Sequence, residues 1–502
     1  MKPLLLGGEM PHWSDGSPFP AGGSPSDRSP SDRGPAGGSP SDRGPAGGDA
    51  LAVLASAARG HTLIVGPHAS PLIDAVPAGR VTVLVRGVPD AEELAARYAS
   101  RPGLEVCCGS LEKLAAVPAY DTVLALDGLE RLTSTESDGL TWADSLAVLL
   151  AVLRPGGRLV LGCENPAGLH RLLALPAEPG DEQWGAPAFD DPSRPAGAAA
   201  LRSALVAAGL EVSAEYAAYP GVRSPQALVG AAALADPDLR GLLAGVVRRA
   251  WSPDEPVLAD PRPIAVQLLT SELAGELAPG WFVVATRGGQ LSLPEVILTA
   301  DPGVVRVSRT ARGWHRGDHD PAAVPMGRNL MDALLVAARG RDVPAMRALL
   351  TAWQGGDFAG IPADGLVVDS DGELHDLGLG AAEEPRVALG RFADAAPADL
   401  AELITAMAGA APGYAPVRPG VGALREVTAE RDRLARELGE AQARLDWYES
   451  RLTARDAELV RAHRIITLLK GTVPGRAATA VRGALRTGKR AARTALHQFR
   501  KQ

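Results

Sequence analysis

Two short stretches concentrate side chains that could do chemistry. Asp127, Glu130 and Arg131 close the run Tyr120-Asp121-Thr122-Val123-Leu124-Ala125-Leu126, and Glu164, Asn165 and His170 follow the run Leu159-Val160-Leu161-Gly162-Cys163. An apolar run ending in polar residues is what a buried parallel strand shows when its C-terminal edge meets a ligand crevice. A carboxylate at such an edge can exchange a proton, and so can a histidine. Arg131 keeps its proton and cannot be a base. The three cysteines, Cys107, Cys108 and Cys163, have neither metal-ligand spacing nor a plausible disulfide framework, which suits a reducing cytosol. Adjacent Cys107 and Cys108 read as strand residues rather than a redox pair, and no metal site is expected.

The frame that must hold these groups is a βαβ unit. An apolar helix stops at Arg154, Pro155-Gly156-Gly157 turns the chain, and Arg158-Leu159-Val160-Leu161 is the next strand. Together with Tyr120–Leu132, these pieces resemble the fourth-strand and "L-x-P-G-G-x-L" motifs of class I S-adenosylmethionine (SAM) dependent methyltransferases. The resemblance implies an α/β, Rossmann-like domain over 49–235 with SAM as cofactor. After a helix at Leu51–Arg59, the first strand is His61–Gly66, and Gly66 takes the first glycine position of the loop that approaches the methionine part of SAM. Ile64 stands where the family has an acidic residue, and His68 and Ser70 stand where it has further glycines. The second strand, Val81–Val85, ends in Arg86 rather than the carboxylate that holds the ribose hydroxyls; a cation cannot accept those bonds, though Asp90 and Glu92 lie nearby. After the third strand, Leu104–Cys108, Ser110 takes the place of the Asp that contacts adenine, and Arg131 replaces a histidine that sometimes serves as base. On this pattern Gly66, His68, Ser70, Ser110 and Asp127 line the SAM crevice. Glu130 is the candidate catalytic group, with His170 a second.

Gly162 to Leu173 resembles the "E-N-x-x-G-x-x-x-L-L" segment of methyltransferases that work beside surface-polysaccharide glycosyltransferases, with Asn165 either a substrate contact or a helix N-cap. Tyr216 to Pro225 resembles the aromatic-rich segment of the same group. Residues 240–415 read as a degenerate α+β region. Pro263–Leu277, Met331–Ala338 and Pro344–Trp353 are helical, Gly280–Ala285 is a strand, and Leu366–Leu377 is a hairpin around Asp371-Gly372. Pro362-Ala363-Asp364-Gly365 and Asp376 resemble a shrunken kinase-like lobe that lacks its metal-binding Asn and its Gly-rich loop, so phosphotransfer is not expected.

The remaining parts are not catalytic. The 502 residues are 46% hydrophobic and 22% charged, enough for two or three domains. No apolar run reaches the ~18 residues of a membrane span, and Met1–Leu6 is too short for a signal peptide. Ser-Pro-Ser-Asp-Arg repeats mark 1–48 as disordered low complexity. From Leu424 to Leu469 apolar residues recur at heptad spacing, predicting a coiled coil over 423–470 that self-associates, about 70 Å long at about 1.5 Å per residue. The net charge of −8 is unevenly spread: residues 470–502 hold nine Lys or Arg and no acid, leaving the rest at −17. In the tail at 474–502, Val481, Leu485, Ala492, Leu496 and Phe499 share a face flanked by arginines, as in a helix lying on an anionic membrane. Nucleic acid is not an expected partner.

This layout is similar to bacterial O-antigen chain-terminating methyltransferases. It implies a cytoplasmic protein, peripheral on the inner face of the membrane, that moves the SAM methyl to a sugar hydroxyl of a glycan or glycolipid. Ile64, Arg86, Ser110 and Arg131 support a second reading of another class: a catalytically inactive, oligomeric, membrane-associated scaffold that keeps the fold and binds no SAM.

Overall fold

A computed structural model describes residues 2–15, 46–77, 79–134, 140–174, 191–251, 257–289, 291–300, 303–317 and 321–395, with helical positions scattered between 431 and 493. The chain divides into two compact units, Met1–Tyr414 and Ala415–Gln502.

The larger sheet of the first unit has thirteen strands. Its strands are β1 (Leu4–Gly7), β2 (Thr62–Val65), β3 (Val81–Val85), β4 (Leu104–Gly109), β5 (Tyr120–Ala125), β6 (Leu153–Glu164), β7 (Glu211–Tyr219), β8 (Ala227–Gly230), β9 (Gly280–Thr286), β10 (Val296–Thr299), β11 (Val304–Thr310), β12 (Gly313–Arg316) and β13 (Ala322–Ala323). They lie in the order β1-β4-β3-β2-β5-β6-β9-β7-β8-β10-β11-β12-β13. The first six are parallel neighbours and every later pairing is antiparallel. The parallel part follows the doubly wound rule: strand order reverses between β2 and β5, which opens a crevice beyond their C-terminal ends. The expected α/β, Rossmann-like architecture is therefore present.

Period-two alternation explains the layers. Leu63 and Val65 of β2 join one core with helices α4 (Trp142–Val152) and α6 (Ala198–Ala207). Ile64 faces the opposite core with α1 (Asp49–Ser56), α2 (Ser70–Ala75) and α3 (Val88–Arg97). Cys107 and Cys108 of β4 divide between the two faces in the same way. Burial pushes their thiols up to about 12 and about 11, and that of Cys163 to about 12, so all three are inert. The Pro155-Gly156-Gly157 turn lies inside β6, where its register against β5 shifts, with Gly156 at φ +75°.

Two sequence expectations are corrected. Residues 1–48 are not uniformly low-complexity chain: β1 extends the parallel sheet beside β4, with Leu4 opposite Cys107. The repeats themselves, at 24–43, lie outside the described residues. The boundary at 235 is also displaced. Strand β9 lies between β6 and β7, pairing Leu161 with Val283 and Phe282 with Tyr216, and its Trp281 and Phe282 are buried. Helices α7 (Ala231–Ala235), α8 (Arg240–Ala250) and α9 (Pro261–Thr270) leave the sheet after β8, and the chain returns to complete it.

A second, three-stranded sheet joins β14 (Arg328–Asn329), β15 (Leu366–Val368) and β16 (Leu374–Asp376). Strands β15 and β16 form the expected hairpin, with Gly372 at φ +84°. Helices α10 (Leu330–Arg339), α11 (Val343–Gln354) and α12 (Pro385–Ala395) pack with it in a separate core. The short helix α5 (Leu169–Leu173) follows β6.

In the second unit the described positions are helical, and Leu434, Leu438, Leu445, Leu452, Leu459 and Ile466 are 47–63% exposed. Leu424, Val427, Leu469, Ala492, Leu496 and Phe499 lie outside the described residues. Among the described residues no helix is long and apolar enough to cross a membrane.

Candidate functional site

The switch point brings Gly66, Asp127, Glu130 and Arg131 to one end of the sheet. Gly66 has φ +93°, and a Cβ there would lie 3.2 Å from Leu132 Cδ2, so a tight glycine turn comes after β2 as expected. Beyond Gly66 the loop is closed rather than open. His68 is buried, with Nδ1 2.9 Å from Gly66 O and no partner for Nε2 among the described residues. Burial lowers its pKa, against a smaller opposite pull from that carbonyl, and keeps the ring neutral. Residues 46–48 lie along this loop: Ala46 N donates to Pro67 O at 2.9 Å and Ala69 N to Ala46 O at 2.7 Å. Ser70 stands at the start of α2, with its carbonyl accepting from Tyr98 Oη at 3.1 Å.

The N-terminal segment crosses the neighbouring strand ends. After β1, Gly7 O accepts from Ser110 N at 3.0 Å, and a Cβ on Gly8 would meet Ser110 Cβ at 2.9 Å. Ser110 Oγ donates to Glu112 and accepts from Ser134 N. Met10 then continues beside Arg86 and Gly87, with Met10 N donating to Arg86 O at 2.9 Å. A Cβ on Gly87 would lie 2.3 Å from Trp13 O, so only glycine admits the crossing.

This path delivers Asp15 to Arg86. Arg86 Nε donates to Oδ2 at 2.6 Å and Nη2 to Oδ1 at 2.8 Å, a bidentate pair with side chains 13% and 5% exposed. Arg86 also faces the Trp13 ring, 5.6 Å from its centroid. Arg131 links the pair to Asp127, donating from Nε to its carboxylate, and Arg223 reaches Asp127 Oδ1 at 3.2 Å. Desolvation raises the pKa of Asp15, but Arg86 and then Arg131 outweigh it and the net shift is downward. Asp90, the nearby carboxylate read as a stand-in, accepts from Ser14 Oγ and from Asp15 N.

What remains is a recess of about 120 Å³ lined by Asp127, Glu130, Arg131, Glu164, Arg194 and Arg223 among others. Cavities that hold drug-sized ligands start at about 300 Å³. Desolvation raises the pKa of Glu130, and Arg194, 3.1 Å away, opposes it. Glu164 goes the other way: desolvation would raise it, but His170 at 2.9 Å and Arg171 at 2.6 Å bring it down to about 2. His170 is thus held beside Glu164 rather than in the recess lining. Asn165 is neither a substrate contact nor the cap of α5, which begins after Gly168. It is 1% exposed, donates to Glu276 O and Ala278 O at 2.8 Å, and accepts from Ala167 N at 3.0 Å.

The residues present do not fit SAM. At Ile64 the family's acid is replaced by a core side chain with no exposure. Arg86 offers donors where acceptors are needed, Ser110 is consumed by Glu112 and Ser134, and segments 7–15 and 46–48 lie over the edges a cofactor would use. The sequence reading missed Asp15, Arg194 and Arg223. The signal for Asp15 was Trp13-Ser14-Asp15 just ahead of the repeats, an aromatic and a carboxylate in otherwise bland composition.

Asp364 and Asp376, the acids read as kinase-like, both have structural partners. Asp364 pairs with Arg249 at 2.9 Å, and Asp376 Oδ1 accepts from Gly378 N at 2.7 Å, a local turn cap. Tyr216 and Tyr219 are buried and donate to Pro294 O at 2.7 Å and Ala274 O at 2.5 Å. Among the described residues no group of three His, Cys, Asp or Glu is placed to hold a metal.

No family model matches the chain, and no curated protein matches it. Solved structures resemble about half of it. They include a putative methyltransferase of Haloferax volcanii in complex with the Trm112 methyltransferase activator, at 16% identity over 48% of this chain and 88% of that one, with a TM-score of 0.29. The CcbJ methyltransferase from Streptomyces caelestis is 18% identical over 48% of this chain and 90% of its own, with a TM-score of 0.26. The 4+2 cyclase SpnF is 15% identical over 47% and 80%, also at 0.26. NodS from Bradyrhizobium japonicum, in complex with S-adenosylhomocysteine, is 18% identical over 23% and 58%, at 0.20. These are likenesses of fold, which for this chain rests on its own strand order.

Proposed function

We propose that this chain is a pseudo-methyltransferase, a methyltransferase-like fold that binds no SAM and serves as a self-associating scaffold. The observation that carries this reading is the Asp15–Arg86 pair, which puts the protein's own ion pair at the strand end where the family holds ribose. The exposed apolar positions at heptad spacing from Leu434 to Ile466 support self-association as a coiled coil. The basic residues from Arg482 to Arg493 support contact with an anionic membrane. A ligand present at about 100 times its Kd stabilises its protein by about 2.7 kcal/mol. The full chain should therefore melt at the same temperature with and without millimolar SAM, and a saturable rise would contradict the proposal. Sedimentation should show oligomers that Leu445→Ser with Leu452→Ser disperses.

A second reading, methyl transfer to a sugar hydroxyl, is favoured by one observation. Glu130, with its raised pKa, faces a recess beside Glu164 and Asp127 and could take a hydroxyl proton. It requires the crevice to open, and the same melting experiment decides between the two.

A further inference from the structure

A larger cavity, of about 490 Å³, lies away from the switch point, between α8, α9 and α10. Each helix gives it one face. Helix α8 supplies Arg240, Ala244 and Arg248, four residues apart and so on one side of the helix. The small residues Gly241 and Ala244 keep the floor low, and a Cβ on Gly241 would meet Gly327 O at 2.3 Å. Val266 of α9 and Val336 of α10 make the walls partly apolar.

The charge is one-sided. Arg240, Arg248, Arg328 and Arg339 line the cavity against a single carboxylate, Asp332, which pairs with Arg248. Arg240, Arg328 and Arg339 form no ion pair among the described residues. Two buried groups are also left short. Among the described residues, Arg248 is 6% exposed and its Nε finds no acceptor, and Asn329 is 1% exposed and its Oδ1 finds no donor. Asn329 Nδ2 is fixed by Gly241 O at 3.2 Å and Asp364 O at 2.9 Å, so the amide cannot turn without losing both. Buried polar groups without partners are rare, and both belong to side chains that line this cavity.

We propose that this cavity binds a small organic phosphate. The arginines take the phosphate oxygens, the geometry their planar forks suit, and the apolar walls cover the carbon frame. Calorimetry on the full chain with ribose 5-phosphate, and with inorganic phosphate and malonate as controls, tests this. Ribose 5-phosphate should bind with a Kd below about 1 mM, more tightly than either control. The exposed double variant Arg328→Glu with Arg339→Glu, checked for an unchanged melting temperature, should weaken it by at least about tenfold. No binding at about 10 mM, equal affinity for malonate, or an unaltered affinity in the double variant would overturn the proposal.

Discussion

Asp15 and Arg86 are 71 residues apart in sequence and share two hydrogen bonds of 2.6 and 2.8 Å at the C-terminal end of β3. Their pairing makes the N-terminal segment part of the first unit's architecture. Breaking a buried pair from one side leaves an uncompensated charge and costs about 3 kcal/mol. Asp15→Asn should therefore destabilise the chain by about that amount in denaturant unfolding. Because the folded state lowers the Asp15 pKa from 3.8, its contribution is present above that pH and is lost below it. The gap between wild type and variant should close as pH falls through that region; a gap that does not change with pH would contradict the assignment.

Glu164 offers a second acid-sensitive contact. Its pKa falls from 4.5 to about 2 in the folded chain. The stabilisation is complete above pH 4.5 and is lost as pH drops toward 2. Glu164→Gln should cost about 1–3 kcal/mol at neutral pH, the lower figure reflecting the partial exposure of Arg171, and almost nothing at pH 2. Equal losses at both pH values would mean the carboxylate acts by shape alone.

The displaced boundary has a direct consequence. A fragment of residues 49–235 lacks β9, which fills the slot between β6 and β7, and lacks β1 and Asp15. It should show no fixed near-ultraviolet dichroism and no slowly exchanging core amides. A fragment extended to 2–317 should show both. A well-folded monomeric 49–235 fragment would sink this description of the sheet.

Local pattern was legible in the sequence, and long-range pairing was not. The strands at 62–65, 81–85 and 120–125, the Pro155-Gly156-Gly157 turn and the hairpin at Gly372 each rest on periodicity or on a backbone preference that a short window carries. Gly66 was found through the methyltransferase resemblance, which places a glycine turn directly after the first strand. The place of β9 was not, because nothing in Gly280–Thr286 names its partners; the excursion through α7, α8 and α9 separates it from β8 by about fifty residues of chain, about 165 Å if extended. Asp15 was missed because repeats beginning at Ser24 coloured the whole N-terminus as low complexity. The substitutions at Ile64, Arg86 and Ser110 were visible as departures, whereas their physical meaning needed the partners: a core face, a carboxylate from 71 residues away, and Glu112 with Ser134.

The most direct measurement is calorimetric titration of the intact chain, and of a chain lacking residues 2–15, with S-adenosylhomocysteine. If Arg86 and the buried His68 close the crevice as described, the intact chain gives no binding heat at about 1 mM ligand. The shortened chain, freed of Asp15 yet still presenting Arg86, gives none either. Saturable micromolar binding by the intact chain would contradict the account and restore the enzymatic reading around Glu130.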